Sequence, residues 1–233
     1  ELQDELITAF RNVDAMGARV VVLAGEGDAF CAGLDLNVLR ELGGRSVEEH
    51  RIEAARVARM FRAVWDCDVP TIAVVQGPAI AGGTGLATMC DFTLASPEAK
   101  FGYTEARIGF VAALVSAYLA LQVGDKAARG LLLSARIFDA NEAHRLGLVN
   151  EVVSRDHLRE RANELAAELM RNSPESLRAT KRLLRAQHRD WLSAALEIAL
   201  EANAASRETA DFREGVAAFL EKRTPKWAAR SDR

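Results

Sequence analysis

The run Thr71-Ile72-Ala73-Val74-Val75 closes on Gln76-Gly77-Pro78, and Gly82, Gly83 and Gly85 then crowd the start of the helix-like stretch Leu86-Ala87-Thr88-Met89. An unbroken apolar run of this length reads as a buried strand. Glycine within a helix costs about 1 kcal/mol relative to alanine, so a cluster of them at one helix start demands a reason. A strand–turn–helix junction leaves backbone N–H groups unpaired at the positive end of the helix dipole. It suits an anionic oxygen, and glycine lets a ligand approach the main chain closely. A second junction of this kind comes earlier: Arg19-Val20-Val21-Val22-Leu23-Ala24 runs into a glycine-rich loop from Gly25 to Gly33 and then into Leu34-Asp35-Leu36. Two donors converging on one oxygen would make an oxyanion hole. Phosphate binding lacks its signatures, since neither GxxxxGK[ST] nor a GxGxxG after a strand occurs. On spacing alone, tight turns and close helix–strand packing account for the glycines as well.

The remaining pattern predicts a helix from Glu1 to Met16, with Leu2, Leu6, Ile7, Phe10 and Val13 on one face. A long helix follows over Val47 to Asp66, turning Ile52, Ala55, Val57, Met60, Phe61 and Val64 inward until Pro70 stops it. Strands are expected at 91–95, 100–103 and 149–153, and a helix interrupted at Gly124 over 112–133. From Asp156 onward the pattern is helical, punctuated by Pro174 and Gly215. Strand–helix alternation followed by helices argues for an α/β core with a helical tail. The expected division is a core over 1–170 and a helical region over 171–233, whose Leu177, Leu183, Leu184, Trp191, Leu196 and Leu200 form apolar stripes.

Composition narrows the function. The 233 residues carry a net charge of −3, without the basic excess of a nucleic-acid binder. No apolar run is long enough to span a bilayer, and no signal peptide is evident. Cys31, Cys67 and Cys90 have no metal-ligand spacing and read as reduced thiols of a cytoplasmic protein. His50, His144, His157 and His188 are scattered in charged, helix-like stretches and read as solvated surface.

The blocks GEGDAFCAGLDL, VQGPAIAGGTGLATMCDF, AKFGYTEARIGFV and LLLSARIFDANEAHRLGLVNEVV, with FLEKRTPKW near the end, resemble the enoyl-CoA hydratase/isomerase, or crotonase, superfamily. They occur in family order through almost the whole chain. The resemblance implies an α/β, crotonase-like spiral of ββα units, a C-terminal helical trimerisation region, and assembly as a homotrimer or a dimer of trimers. The family's N-terminal part, including a basic loop before the first helix, has no counterpart here. The implied partner is an acyl-CoA substrate; no metal or other cofactor, nucleic acid or membrane is implied, since coenzyme A arrives as part of the substrate.

The resemblance also assigns roles. The first oxyanion N–H falls on Leu34, after Cys31-Ala32-Gly33, and the second on Gly82 within Ala81-Gly82-Gly83. Familiar hydratases carry two glutamates. One matches Glu105; the other falls on Gly85 and is missing. A single carboxylate can serve both proton transfers of a hydration, but enoyl-CoA isomerases of the family also use one glutamate at the Glu105 position. Hydration of a 2-enoyl-CoA is therefore expected, with 3-enoyl to 2-enoyl isomerisation as the alternative. A catalytically idle RNA-binding or scaffold protein is the reading from another class. Loss of the carboxylate at Gly85 is expected to open space for a branched or polar acyl group. Tyr103 and Thr104 are candidates to hold a water. Further acyl-CoA contacts implied are Ala29, Ala32, Asp35, Leu36, Ala81, Thr104, Gly109, Phe219 and Lys222.

Overall fold

The computed structural model describes residues 1–42 and 45–230. Its centre is a parallel sheet of four strands in the order β1 (Val21–Ala24), β2 (Thr71–Val75), β4 (Phe92–Ala95) and β7 (Glu151–Val152). A smaller sheet pairs β3 (Ala79–Ile80) in parallel with β5 (Lys100–Gly102), and β5 antiparallel with β6 (Phe138–Asp139). The strand β2 is buried on both faces, which explains its unbroken apolar sequence. Ala73 and Val75 face the main core. Ile72 and Val74 face Leu158, Ala162 and Leu165 of α7 (Arg155–Met170).

The chain passes from β1 to β2 through α2 (Leu36–Leu42) and α3 (Val47–Trp65), and from β2 to β4 through β3 and α4 (Gly82–Met89). Successive circuits lay β1, β2 and β4 in the main sheet, each followed by a short segment on the other layer (a single bridge at Cys31, then β3, then β5), so the path is a spiral of ββα turns. The helix α3 starts at a capping box: Ser46 Oγ accepts from the Glu49 N–H, and the Glu49 carboxylate accepts from the Ser46 N–H at 2.7 Å. The helix α5 (Ala113–Ser134) is broken where expected, at Gly124 with φ 76°.

Two long helices close the molecule. The helix α8 (Pro174–Ser206), capped by Ser173, packs on α3 and α5 and sends Leu192, Leu196 and Ala199 into the main core. Lys181 on α8 also reaches Asp91 at 2.6 Å, beside the start of β4. The helix α9 (Ala210–Leu220) lies against a 3-10 turn over Glu105–Ile108. Gly215 does not punctuate this helix. It sits inside α9 because any Cβ there would overlap the backbone of Ile108. Gly109, with φ 69°, likewise lies against the Asp211 backbone, where a Cβ would come within 2.5 Å of its carbonyl.

Several expectations need correction. The first helix, α1 (Leu2–Arg11), ends well before Met16, and Val13 reaches the core from the turn that follows. On α3 the buried face is shifted: His50 is 3% exposed whereas Ile52 is 53% exposed. His50 is therefore a core histidine, and burial together with nearby Arg207 holds its pKa below the ordinary value. The strand β6 and the short helix α6 (Ala140–Arg145) were not foreseen. All three cysteines are free thiols. No described helix is long and apolar enough to cross a membrane.

Candidate active site

The two glycine loops and the turn bearing Glu105 all emerge where strands end. Gln76, just past β2, clips the first loop: its Nε2 donates to the carbonyls of Gly25 at 3.0 Å and Ala29 at 2.9 Å. The loop is then stitched to β3. Phe30 and Cys31 N–H groups donate to Pro78 O at 3.0 and 3.2 Å, and Ile80 N–H donates to Cys31 O at 2.9 Å. Side-chain bonds brace the second junction: Thr84 Oγ1 donates to Ala79 O at 2.5 Å and accepts from Gly102 N–H at 3.0 Å. Ala81 enters α4 at φ 51°, ψ −118°, a conformation unfavourable for a residue with a Cβ. Its N–H is anchored on Gly102 O at 2.7 Å. Among the described residues no hydrogen bond takes up the N–H of Leu34 or Gly82.

A single cavity of about 680 Å³ brings these parts together, within the range typical of ligand pockets. Ala32, Leu34, Ala81, Gly82, Gly85, Thr104, Glu105 and Phe219 all line it. Ala29, Asp35, Gly109 and Lys222 are not among its lining residues. Ala29 is engaged by Gln76 and Gly109 by α9. Leu36 opens α2, but its side chain lies outside the described residues. Tyr103 points into the core, where its hydroxyl pairs with Thr88 Oγ1 at 2.7 Å, so it packs rather than holds a water.

Glu105 stands in the wall of this cavity. Its Oε2 is enclosed without a hydrogen-bond partner. Desolvation raises its pKa from 4.5 to about 7, with only its own backbone N–H acting the other way. A carboxyl of that kind can hold or release a proton near neutral pH. Among the described residues one other carboxylate lines the cavity, Glu53, and it is engaged by Arg45 at 2.5 Å and lies 3.1 Å from Arg207.

The glycines of the second junction serve different needs. Gly82 has open space where a Cβ would be. Gly83 has none: a Cβ would overlap the Cys31 carbonyl oxygen and lie 2.8 Å from the Cys31 Cβ. At Gly85 a Cβ would meet the Phe61 ring at 2.6 Å. The expected open space beside Gly85 is thus occupied by an aromatic side chain from α3. Nothing local to Gly85 in the sequence signals that contact. Gly85→Glu alone is expected to lower stability by about 2 kcal/mol through overpacking. Pairing it with Phe61→Ala is expected to recover part of that loss, as a double-mutant cycle of melting curves would show.

Comparison with known proteins agrees with the geometry. The Enoyl-CoA hydratase/isomerase family model matches residues 1–230. A Thermus thermophilus protein provisionally named an enoyl-CoA hydratase is 45% identical over 228 residues, covering 97% of this chain and 90% of the relative. The mevalonyl-coenzyme A hydratase of Aspergillus fumigatus is 36% identical over 89% of this chain and 77% of its own length. A solved enoyl-CoA hydratase from Mycobacterium avium superposes with a TM-score of 0.84 at 34% identity, covering 97% of this chain and 86% of that one. With the family model spanning residues 1–230 and both curated relatives above 30% identity over most of their length, this chain belongs to the enoyl-CoA hydratase/isomerase family.

Proposed function

We propose that this protein adds water to a 2-enoyl-CoA to give a 3-hydroxyacyl-CoA, with Glu105 as the acid/base group. The observation that carries the reading is an enclosed carboxyl with an unpartnered oxygen, its pKa pushed up to about 7 by burial, in the same cavity as two glycine-loop amides. In this mechanism the thioester carbonyl accepts hydrogen bonds from the N–H groups of Leu34 and Gly82. Glu105, ionised, takes a proton from water as the water oxygen bonds to C3. The π electrons move onto the thioester oxygen as an enolate, which the two amides stabilise by about 3–4 kcal/mol per donor. Glu105 then returns its proton to C2. Water is consumed, and no redox partner or metal enters the balance.

The test is the ultraviolet absorbance of crotonyl-CoA. Its loss, with 3-hydroxybutyryl-CoA identified by mass, is the expected result. Because ionised Glu105 is required, kcat/KM should rise about tenfold per pH unit up to about 7 and then level off. A flat profile from pH 5 to 8 would exclude Glu105 as the base.

The second reading is 3-enoyl to 2-enoyl isomerisation, favoured by one observation: with Phe61 over Gly85 and Glu53 ion-paired, a single carboxyl is left to move a proton. That activity would make absorbance appear from a 3-enoyl-CoA. An idle scaffold or RNA-binding role has no support in a cavity built around a protonatable carboxyl, nor in the net charge of −3. For assembly we propose a homotrimer or a pair of trimers. Leu184, Trp191 and Ile198 recur every seventh residue on α8 and are exposed, as is Leu183. A second copy of the chain is the partner that stripe fits.

A further inference from the structure

Besides Gln3, Thr104, Glu105 and Arg107, the cavity wall carries one further polar stretch, and that one is buried. Arg207, in the turn between α8 and α9, is 6% exposed, and Asn203 on α8 is 4% exposed; both line the cavity beside Glu53. Arg207 Nε and Asn203 Oδ1 are enclosed without hydrogen-bond partners. Arg207 Nη1 lies 3.1 Å from Glu53 Oε2 but outside hydrogen-bonding geometry. The same oxygen already receives Arg45 Nη1 at 2.5 Å. One carboxylate oxygen therefore serves two guanidinium groups, and exposed Glu41 compensates only Arg45, at 3.2 Å.

Buried polar groups are nearly always satisfied, because an unpaired one bears its full desolvation cost. A guanidinium with idle donors inside a cavity is costlier still. Phe110 holds it in place: its ring centre lies 5.0 Å from the Arg207 guanidinium carbon. Phe110 also donates its N–H to the Glu105 carbonyl at 3.0 Å, so the cation is fixed to the segment that carries the acid/base group. Asn203 Oδ1 is the enclosed end of its amide, and a half-turn exchanges it with the NH2 donor. These are donors waiting for an anionic acceptor.

We infer that the acyl portion of the substrate carries a second, free carboxylate, bound by Arg207 and Asn203. This rests on the acyl-CoA reading of the site, though not on the choice between hydration and isomerisation. Arg207 and Asn203 act here as specificity residues. They stand on α8 and the turn after it, while the thioester amides stand on the glycine loops, so one cavity holds both ends of a short dicarboxylic monothioester.

The test compares glutaryl-CoA with pentanoyl-CoA by titration calorimetry on the full chain. Both have five acyl carbons and neither is conjugated, so binding is read without turnover. Glutaryl-CoA is expected to bind about tenfold more tightly, the size of one charge-assisted hydrogen bond. In Arg207→Met the preference should disappear while pentanoyl-CoA affinity persists. Asn203→Leu, which keeps the Arg207–Glu53 pair, should narrow the preference and serves if the arginine variant does not fold. Equal binding of both thioesters, or a preference that survives these substitutions, overturns the inference alone. Failure of both thioesters to bind overturns the acyl-CoA reading as well.

Discussion

Glu105→Gln is expected to lower kcat by about three orders of magnitude while leaving acyl-CoA affinity close to that of the unaltered protein. In the proposed hydration both proton transfers pass through this one group, so no other side chain is assigned to carry either. The loss should fall on kcat more than on KM, because glutamine matches the neutral acid in shape and the amide donors are untouched. The same substitution is expected to stabilise the fold at pH 8. Burial raises the Glu105 pKa from 4.5 to about 7. Below about 4.5 the group is neutral in both folded and unfolded chains and has no effect. Between 4.5 and 7 the folded protein holds the proton that the unfolded chain releases, so stability falls as pH rises. Above 7 the fold bears the whole cost of a buried charge, on the order of 3 kcal/mol. Melting curves of the two proteins should therefore converge near pH 4 and separate at pH 8, with the variant the more stable. Coincident curves at both pH values would mean that Glu105 is solvated and unsuited to the role.

The second large effect is steric. Gly83→Ala drives a methyl group into the Cys31 carbonyl, and both partners are backbone or buried. The first glycine loop and the start of α4 must separate. That separation is expected to misplace one oxyanion donor and lower kcat/KM by about a hundredfold or more. It should also cost about 1–3 kcal/mol of stability through overpacking. Gly82→Ala is the control, since its Cβ would meet no protein atom within 4 Å. It should melt within about 1 kcal/mol of the parent protein, because alanine is the better helix former. If Gly83→Ala keeps full activity, the close approach of the two loops is not needed for function.

How far the sequence foretells this structure depends on whether the cause is local. The strand β2, the glycine junctions and the break at Gly124 follow from residues that are neighbours along the chain, and the structure has them. The strands β3 and β6 are two residues long and exist through pairing with β5, which no local pattern announces. On α3, the charged flanks of His50 suggested solvent, but α8 and Arg207 cover it. Gly215 looks like a helix break and is instead the place where α9 touches another backbone. Phe61 reads from the sequence only as a core residue, and Arg207 and Asn203 have no signal at all, for the same reason. Each reaches the cavity from an element distant in sequence, and none sits in a distinctive spacing. Family resemblance located Glu105; the unusual backbone of Ala81 and the polar stretch of the cavity wall required the fold.

The glycine contacts of α9 have a consequence for synthesis. Glu105, Leu34 and Gly82 are all translated long before residues 210–220. Yet the turn carrying Glu105 is seated by Asp211 and Gly215 against Gly109 and Ile108. A nascent chain still missing α9 has the Glu105 turn packed on α5, without the helix that presses on its other side. The seating of the Glu105 turn therefore waits on residues 210–220, more than a hundred positions further along the chain than the turn itself.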